Sequence, residues 1–170
     1  MPITRLNHAV LYVRDATASA RFYADVLGFR IVNSLGDRAI FVQAPGSTND
    51  HDLGLFSIGD GAGPTTAGRS TVGLYHLAWE VQTLTDLVHL REKLASADAL
   101  VGASDHSTSK SLYGHDPDGI EFEIAWLVPA DRIDADVLDR RSTISALDLD
   151  VEIARYGADT LGGIGVSVPA

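Results

Sequence analysis

An α+β fold made of two similar βαβββ modules is what this sequence predicts, and three observations predict it. Leu74–Val81 repeats Leu6–Val13: both read L-x-H-x-x-x-x-V, with an offset of 68 residues. Each copy leads into a capped amphipathic stretch and then into three short β-rich runs. Between them, residues 59–71 are a flexible connector rich in Gly and Thr. A repeat of this period with a histidine at the same place in each copy is the signature of a duplicated structural unit.

The elements follow in order. Residues 5–13 read as a strand from their β-branched and aromatic content. Asp15 can N-cap a helix running to Leu27, with Phe22, Tyr23, Val26 and Leu27 as its apolar face and Gly28 as the residue that ends it. Phe29–Asn33, Ala39–Gln43 and Leu53–Ile58 are short strands punctuated by Gly, Asp, Pro and Asn. In the second copy the strand Leu74–Val81 precedes a helix that begins near Thr83–Thr85, buries Leu84, Leu87, Val88 and Leu94, and ends before Ser96. Leu100–Ala103, Lys110–His115 and Ile120–Leu127 complete it. This organisation is one domain over residues 1–128, with modules 3–58 and 72–128 and linker 59–71. Residues 129–170 break the pattern: they carry eight Asp/Glu against four Arg, helix-like stretches at Asp134–Arg140 and Leu147–Tyr156, and a Gly-rich apolar tail. They are expected to pack as an extension on the domain or on a partner chain; the alternative is a lid over a site mouth.

With 170 residues, 45% hydrophobic and 21% charged, the chain can bury a real core. No run of apolar residues is long enough to span a membrane, and no signal peptide is recognisable, so a cytoplasmic protein is expected. A net charge of −10 argues against nucleic acid and anionic membranes as partners. Cysteine is absent, so any metal must be held by His and carboxylate, which favours Fe(II), Mn(II), Zn or Ni. The histidines are therefore the inventory that matters: His8, His51, His76, His89, His106 and His115.

The most informative stretch runs from His106 to Glu123. Asp116-Pro117-Asp118-Gly119 is turn chemistry, since Pro presets φ and Gly tolerates φ > 0. Beyond it, Ile120–Trp126 alternates, placing Glu121 and Glu123 on one face and Phe122, Ile124 and Trp126 on the other. Two carboxylates opposite a clean apolar face suggest a polar cavity; a surface hairpin with solvated glutamates is the plainer reading. A lone strand histidine is more often a satisfied structural residue than a ligand, but the symmetry of His8 and His76 and the presence of Glu123 reverse that balance. His89, beside Arg91, Glu92 and Lys93 in a helix, reads as surface, and His115 lies within the turn region.

The spacing of His106, Tyr113, Asp116-Pro117-Asp118-Gly119 and Glu123 closely resembles the signature of the extradiol ring-cleavage dioxygenases, in the vicinal-oxygen-chelate (glyoxalase/bleomycin-resistance/dioxygenase) superfamily. Ser104 departs from it, standing where that family usually has Gly, Asn, Thr or an aliphatic residue. Several fixed points over roughly twenty residues are far more specific than a lone short motif. The resemblance implies a half-open mixed β-barrel around a metal site. It implies Fe(II), or Mn(II), ligated by His8, His76 and Glu123, a facial triad with open positions. His51 of His51-Asp52 would be the acid–base histidine, with Asp50 and Asp52 favouring its protonated form. His106 and Tyr113 would contact substrate or oxygen. The implied partners are a small aromatic diol and O2, with a homodimer or higher homo-oligomer expected, and the implied product is a muconic semialdehyde.

Two rivals share the scaffold: a metal-dependent isomerase, epimerase or lyase, and a metal-free binding protein of the bleomycin-resistance kind. A lactoylglutathione lyase would take a fourth ligand from the last strand of the first module, yet Leu53–Ile58 contains no Glu, His or Gln. That absence favours the three-ligand oxygenase site. Fold alone does not separate these options.

Overall fold

The structure, a computed structural model, describes residues 2–67 and 70–162. Most of the Gly-rich tail lies outside the described residues. The chain divides into two compact units: one runs to Thr66 and includes Asp116–Ile120, and the other takes Ala67–His115 and the residues from Glu121 on.

The first unit contains β1 (Ala9–Val13), α1 (Ala16–Asp25), β2 (Arg30–Ser34), β3 (Ala39–Gln43) and β4 (Leu53–Ser57), the βαβββ order read from the sequence. Its sheet runs β1-β4-β3-β2, with β1 parallel to β4 and the other pairs antiparallel. Alternation sorts the side chains. Leu11, Val13, Leu53, Leu55, Ile40 and Val42 are buried beneath α1, whereas Val10 and Tyr12 on the opposite face are exposed. Asp15 caps α1 by accepting the N–H groups of Thr17 and Ala18 at 2.8 and 3.2 Å. The buried face of the helix differs from the expected one: Ala16, Ser19, Ala20 and Tyr23 are buried, while Phe22, Val26 and Leu27 are only half-buried. Small residues at this face let the helix axis approach the sheet, leaving the larger side chains at the margin.

The turn Asp116–Ile120 belongs to this unit. Asp116 Oδ1 accepts the N–H groups of Asp118 and Ile120, each at 2.9 Å, and Gly119 takes φ +79°. Tyr23 donates its hydroxyl to Asp116 at 3.4 Å, and Arg14 grips Asp118 at 2.6 Å.

The second unit contains β5 (Leu77–Val81), α2 (Leu84–Ser96), β6 (Leu100–Asp105), β7 (Ser109–His115) and β8 (Glu121–Leu127). A 3-10 turn at Ala130–Arg132, α3 (Ala135–Arg140), β9 (Ser145–Ala146) and α4 (Leu149–Tyr156) follow. The sheet order is β5-β8-β7-β6-β9, with β5 parallel to β8 and the rest antiparallel. The fold is thus α+β with two mixed, open sheets. Thr83 and Asp86 form a reciprocal capping box at the start of α2, which buries Leu84, Leu87 and Leu94 as expected; Val88 is only half-buried. Phe122, Ile124 and Trp126 are buried, as the alternation of β8 requires. The segment after β8 packs on that apolar face: Tyr156 of α4 lies 5.4 Å from the Trp126 ring, and Trp126 Nε1 donates to Thr160 O at 3.2 Å. The two-residue β9 and the extension of β6 to Asp105 were not legible in the sequence; they exist because Ser104 and Asp105 pair with Ala146 and Ser145. No helix among the described residues is long and apolar enough to cross a membrane.

Candidate active site

Both repeated histidines sit one residue ahead of their strands rather than within them, because pairing begins at Ala9↔Leu53 and at Leu77↔Phe122. In the first unit, Asn7 Oδ1 lies 2.7 Å from His8 Nδ1. An amide oxygen can only accept, so Nδ1 carries the proton and Nε2 keeps its lone pair, the form in which imidazole binds a metal. The His8 ring lies 4.6 Å from that of His51. Asp50 Oδ2 stands 2.9 Å from His51 Nδ1, which by the same logic carries a proton toward the carboxylate, with Nε2 as the other ring nitrogen. Asp52 is not the second acidic neighbour the sequence suggested. Its buried carboxylate is taken up by Ala44 N, Ser47 Oγ and Asn49 Nδ2 at 2.8, 2.8 and 2.7 Å, closing its own loop.

Next to this pair the open face of the sheet is aromatic. Phe41 lies 5.0 Å from the His51 ring and 6.0 Å, edge-on, from Phe56. Gly54 is buried between them, and the rings close over it: a Cβ there would meet Phe41, Phe56 and Val10 at 3.4, 3.4 and 3.5 Å.

In the second unit, His76 Nε2 lies 3.0 Å from Glu123 Oε2. That separation serves a hydrogen bond when Nε2 is protonated. It also suits two ligands at right angles, each about 2.1 Å from one ion, which would stand about 3.0 Å apart. His76 Nδ1 is buried without a hydrogen-bond partner among the described residues, with Glu121 Oε1 at 3.8 Å. The donor set, imidazole plus carboxylate, fits a divalent ion of the Fe, Mn or Zn kind. His106 Nε2 and Tyr113 Oη are 2.7 Å apart, and the Tyr113 ring lies 5.9 Å from that of His76. Burial, then the charges of Glu123, Tyr75 and Glu121, push the Tyr113 phenol up to about 12, so it remains a proton donor at neutral pH. His115 is half-exposed and reaches Glu121 at 3.6 Å, while His89 is exposed on α2.

The structure therefore groups the expected site residues as His8 with His51, and as His76 with Glu123, Tyr113 and His106. No group of three or more His, Asp or Glu side chains arranged to hold an ion occurs among the described residues.

The sheet registers relate the two modules position by position. In the second, Ala78 pairs with Glu123, which pairs with Tyr113. In the first, Val10 pairs with Gly54, which pairs with Phe41. Val10 and Ala78 are equivalent under the 68-residue repeat. Gly54 thus stands where the second module has Glu123, and Phe41 where it has Tyr113. Sequence reasoning found β4 empty of ligands but missed Gly54, Phe41 and Phe56 as a surface; the clue lay in the pairing, not in the residue pattern.

The model of the Glyoxalase/Bleomycin resistance protein/Dioxygenase superfamily matches residues 5–124. A biphenyl-2,3-diol 1,2-dioxygenase of Rhodococcus globerulus is 33% identical over 124 residues, covering 71% of this chain and 62% of that protein. A catechol-2,3-dioxygenase of Bacillus subtilis (strain 168) is 29% identical over 121 residues, covering 71% of this chain and 41% of that protein. Among solved structures, a glyoxylase/bleomycin resistance protein/dioxygenase domain from Frankia sp. EAN1pec superposes with a TM-score of 0.60 at 29% identity, covering 73% of this chain and 92% of that one. The chain spans less than two thirds of the length of either curated relative.

Proposed function

The chain belongs to the Glyoxalase/Bleomycin resistance protein/Dioxygenase superfamily, and within it we propose that it is an extradiol dioxygenase that opens a catechol-type ring with O2. The observation that carries this reading is the pair of pairs on one sheet face: His76 with Glu123 at 3.0 Å and His106 with Tyr113 at 2.7 Å. The proposed metal ligands are His8, His76 and Glu123, and the proposed ion is Fe(II), with Mn(II) as the alternative. When bound, such an ion supplies Lewis acidity toward the diol oxygens and one-electron chemistry toward dioxygen. Similarity to dioxygenases of catechol and of biphenyl-2,3-diol supports the substrate class.

The side chains then divide the work. His51 Nε2 takes a proton from a substrate hydroxyl and later returns it, while Asp50 holds Nδ1–H and fixes the ring. His106 Nε2–H donates to the Tyr113 oxygen, which frees the phenol O–H to donate to a substrate oxygen. Phe41, Phe56 and Val10 around Gly54 offer an apolar surface for the face of a flat ring and keep water from it. The ring C–C bond beside the diol breaks, and both atoms of O2 enter the product. Gly54 at the position equivalent to Glu123 counts against a four-ligand isomerase site.

The test is anaerobic loading with Fe(II), then addition of catechols and air. A yellow ring-opened product with one O2 consumed per diol, abolished in Glu123→Ala, supports the dioxygenase. Metal-dependent turnover of a hemithioacetal without oxygen uptake, and no product from any diol, overturns it.

A further inference from the structure

We propose that the segment after β8, which follows the family-matched residues, is a clamp that positions His106, and that Lys110 is its pin. The family match ends at residue 124, and the elements that follow close on the turn carrying His106. This rests on the proposed role of His106 at its substrate end and on contacts within the second unit elsewhere.

The turn joins β6 to β7. Ser107 sits in it with φ +68°, a left-handed conformation that a side-chain-bearing residue adopts only when its surroundings hold it. Those surroundings are specific. Asp105 Oδ1 accepts the Ser107 N–H at 2.7 Å and also the Lys110 ammonium. Ser107 Oγ donates to Val137 O on α3 at 2.6 Å, and Val128 N donates to Thr108 O at 3.0 Å. Lys110 Nζ lies 3.0 Å from Glu152 Oε2 on α4, and Arg140 on α3 approaches Asp105 at 3.7 Å. β9 pairs with Ser104 and Asp105, the two residues just before His106.

Lys110 is fully buried, and Asp105 and Glu152 are 6% exposed each. Three charges removed from water keep their favourable energy only in one geometry, so such a cluster specifies position more than it adds stability. The geometry it specifies is that of the hairpin end, where His106 meets Tyr113 at 2.7 Å. A segment that merely covered apolar surface would need the Trp126 and Tyr156 contact, not a buried acid of its own, Glu152, set 3.0 Å from the lysine that Asp105 of β6 holds beneath this turn.

Glu152→Gln and Ser107→Ala test this in the full chain, with Asp150→Asn, exposed on α4, as control. The readouts are the His106 ring signals in 1H–15N NMR, identified by their absence in His106→Gln, and kcat and KM for a catechol with bound Fe(II) measured alongside. The clamp predicts that Glu152→Gln and Ser107→Ala shift or broaden the His106 ring signals and lower kcat at least tenfold, with KM and iron content within twofold of wild type. Asp150→Asn changes none of these. Ser107→Ala leaves every charge in place and serves where Glu152→Gln does not fold. Unmoved His106 signals in a folded variant overturn the clamp, whatever the activity. Moved signals with unchanged kcat uphold the clamp and overturn the role given to His106.

Discussion

Gly114 offers the sharpest stability test of the site's framework. It lies on β7 directly opposite Phe122 on β8, one residue from Tyr113. A Cβ there would fall 2.5 Å from Phe122 Cζ, 2.8 Å from Cε2 and 3.2 Å from Ala99 O. Carbon atoms in contact prefer about 3.5–4.0 Å, so Gly114→Ala creates an overlap of about 1 Å. Phe122 is 1% exposed, so its ring can yield only by displacing other packed side chains. Overpacking of this kind costs about 1–3 kcal/mol, and an overlap this large belongs at the upper end. Stiffening the unfolded chain returns roughly 0.5–1 kcal/mol. The net of about 2 kcal/mol corresponds to a Tm lower by about 4–8 °C for a chain this size. Gly102→Ala on the neighbouring β6 is the internal control, because no atom lies within 4 Å of its Cβ position. Calorimetry on both variants and on Gly114→Ala/Phe122→Leu decides the matter. The double variant should recover part of the loss, since the shorter side chain vacates the contested space. A Gly114→Ala Tm within about 1 °C of wild type would refute the packing argument.

Two further outcomes are expected. His51→Ala should lower turnover by about 10²–10⁴-fold, the usual worth of a positioned general base, with iron content unchanged in metal analysis; loss of iron would make His51 a ligand instead. Acid should weaken the second unit through Asp105: burial raises its carboxyl, but hydrogen bonds from Lys110 and the Ser107 N–H and the charges of Lys110 and Arg140 outweigh this and hold it below the ordinary value. A depressed carboxyl stabilises the fold above its unfolded pKa of about 3.9 and loses that contribution as pH falls through the folded value. Asp116 runs the other way: burial raises its carboxyl despite backbone hydrogen bonds from Ile120 and Asp118, so its contribution is lost as pH rises through the raised value. Urea midpoints from about pH 5 to about pH 3 should therefore fall less steeply in Asp105→Asn than in wild type; equal slopes would remove Asp105 as the cause.

By itself the sequence determined the order of elements in both modules, the cap at Asp15, and the buried face of β8. These rest on local periodicity and on side chains that bond their own backbone, which are written within a few residues. The same local reading chose Phe22 and Leu27 for the helix face, yet Ala16, Ser19 and Ala20 meet the sheet, because closeness of approach is set by the partner surface. It gave Asp52 to His51, though a loop several residues upstream claims that carboxylate. Nothing in the local pattern marks Lys110 as interior, because its partner Glu152 lies on a helix far along the chain. Only the tertiary structure decided that Gly54 faces Val10 and Phe41 where Glu123 faces Ala78 and Tyr113. Which residues stand opposite one another is a matter of strand register, and register is set by pairing between segments tens of residues apart, which periodicity cannot encode.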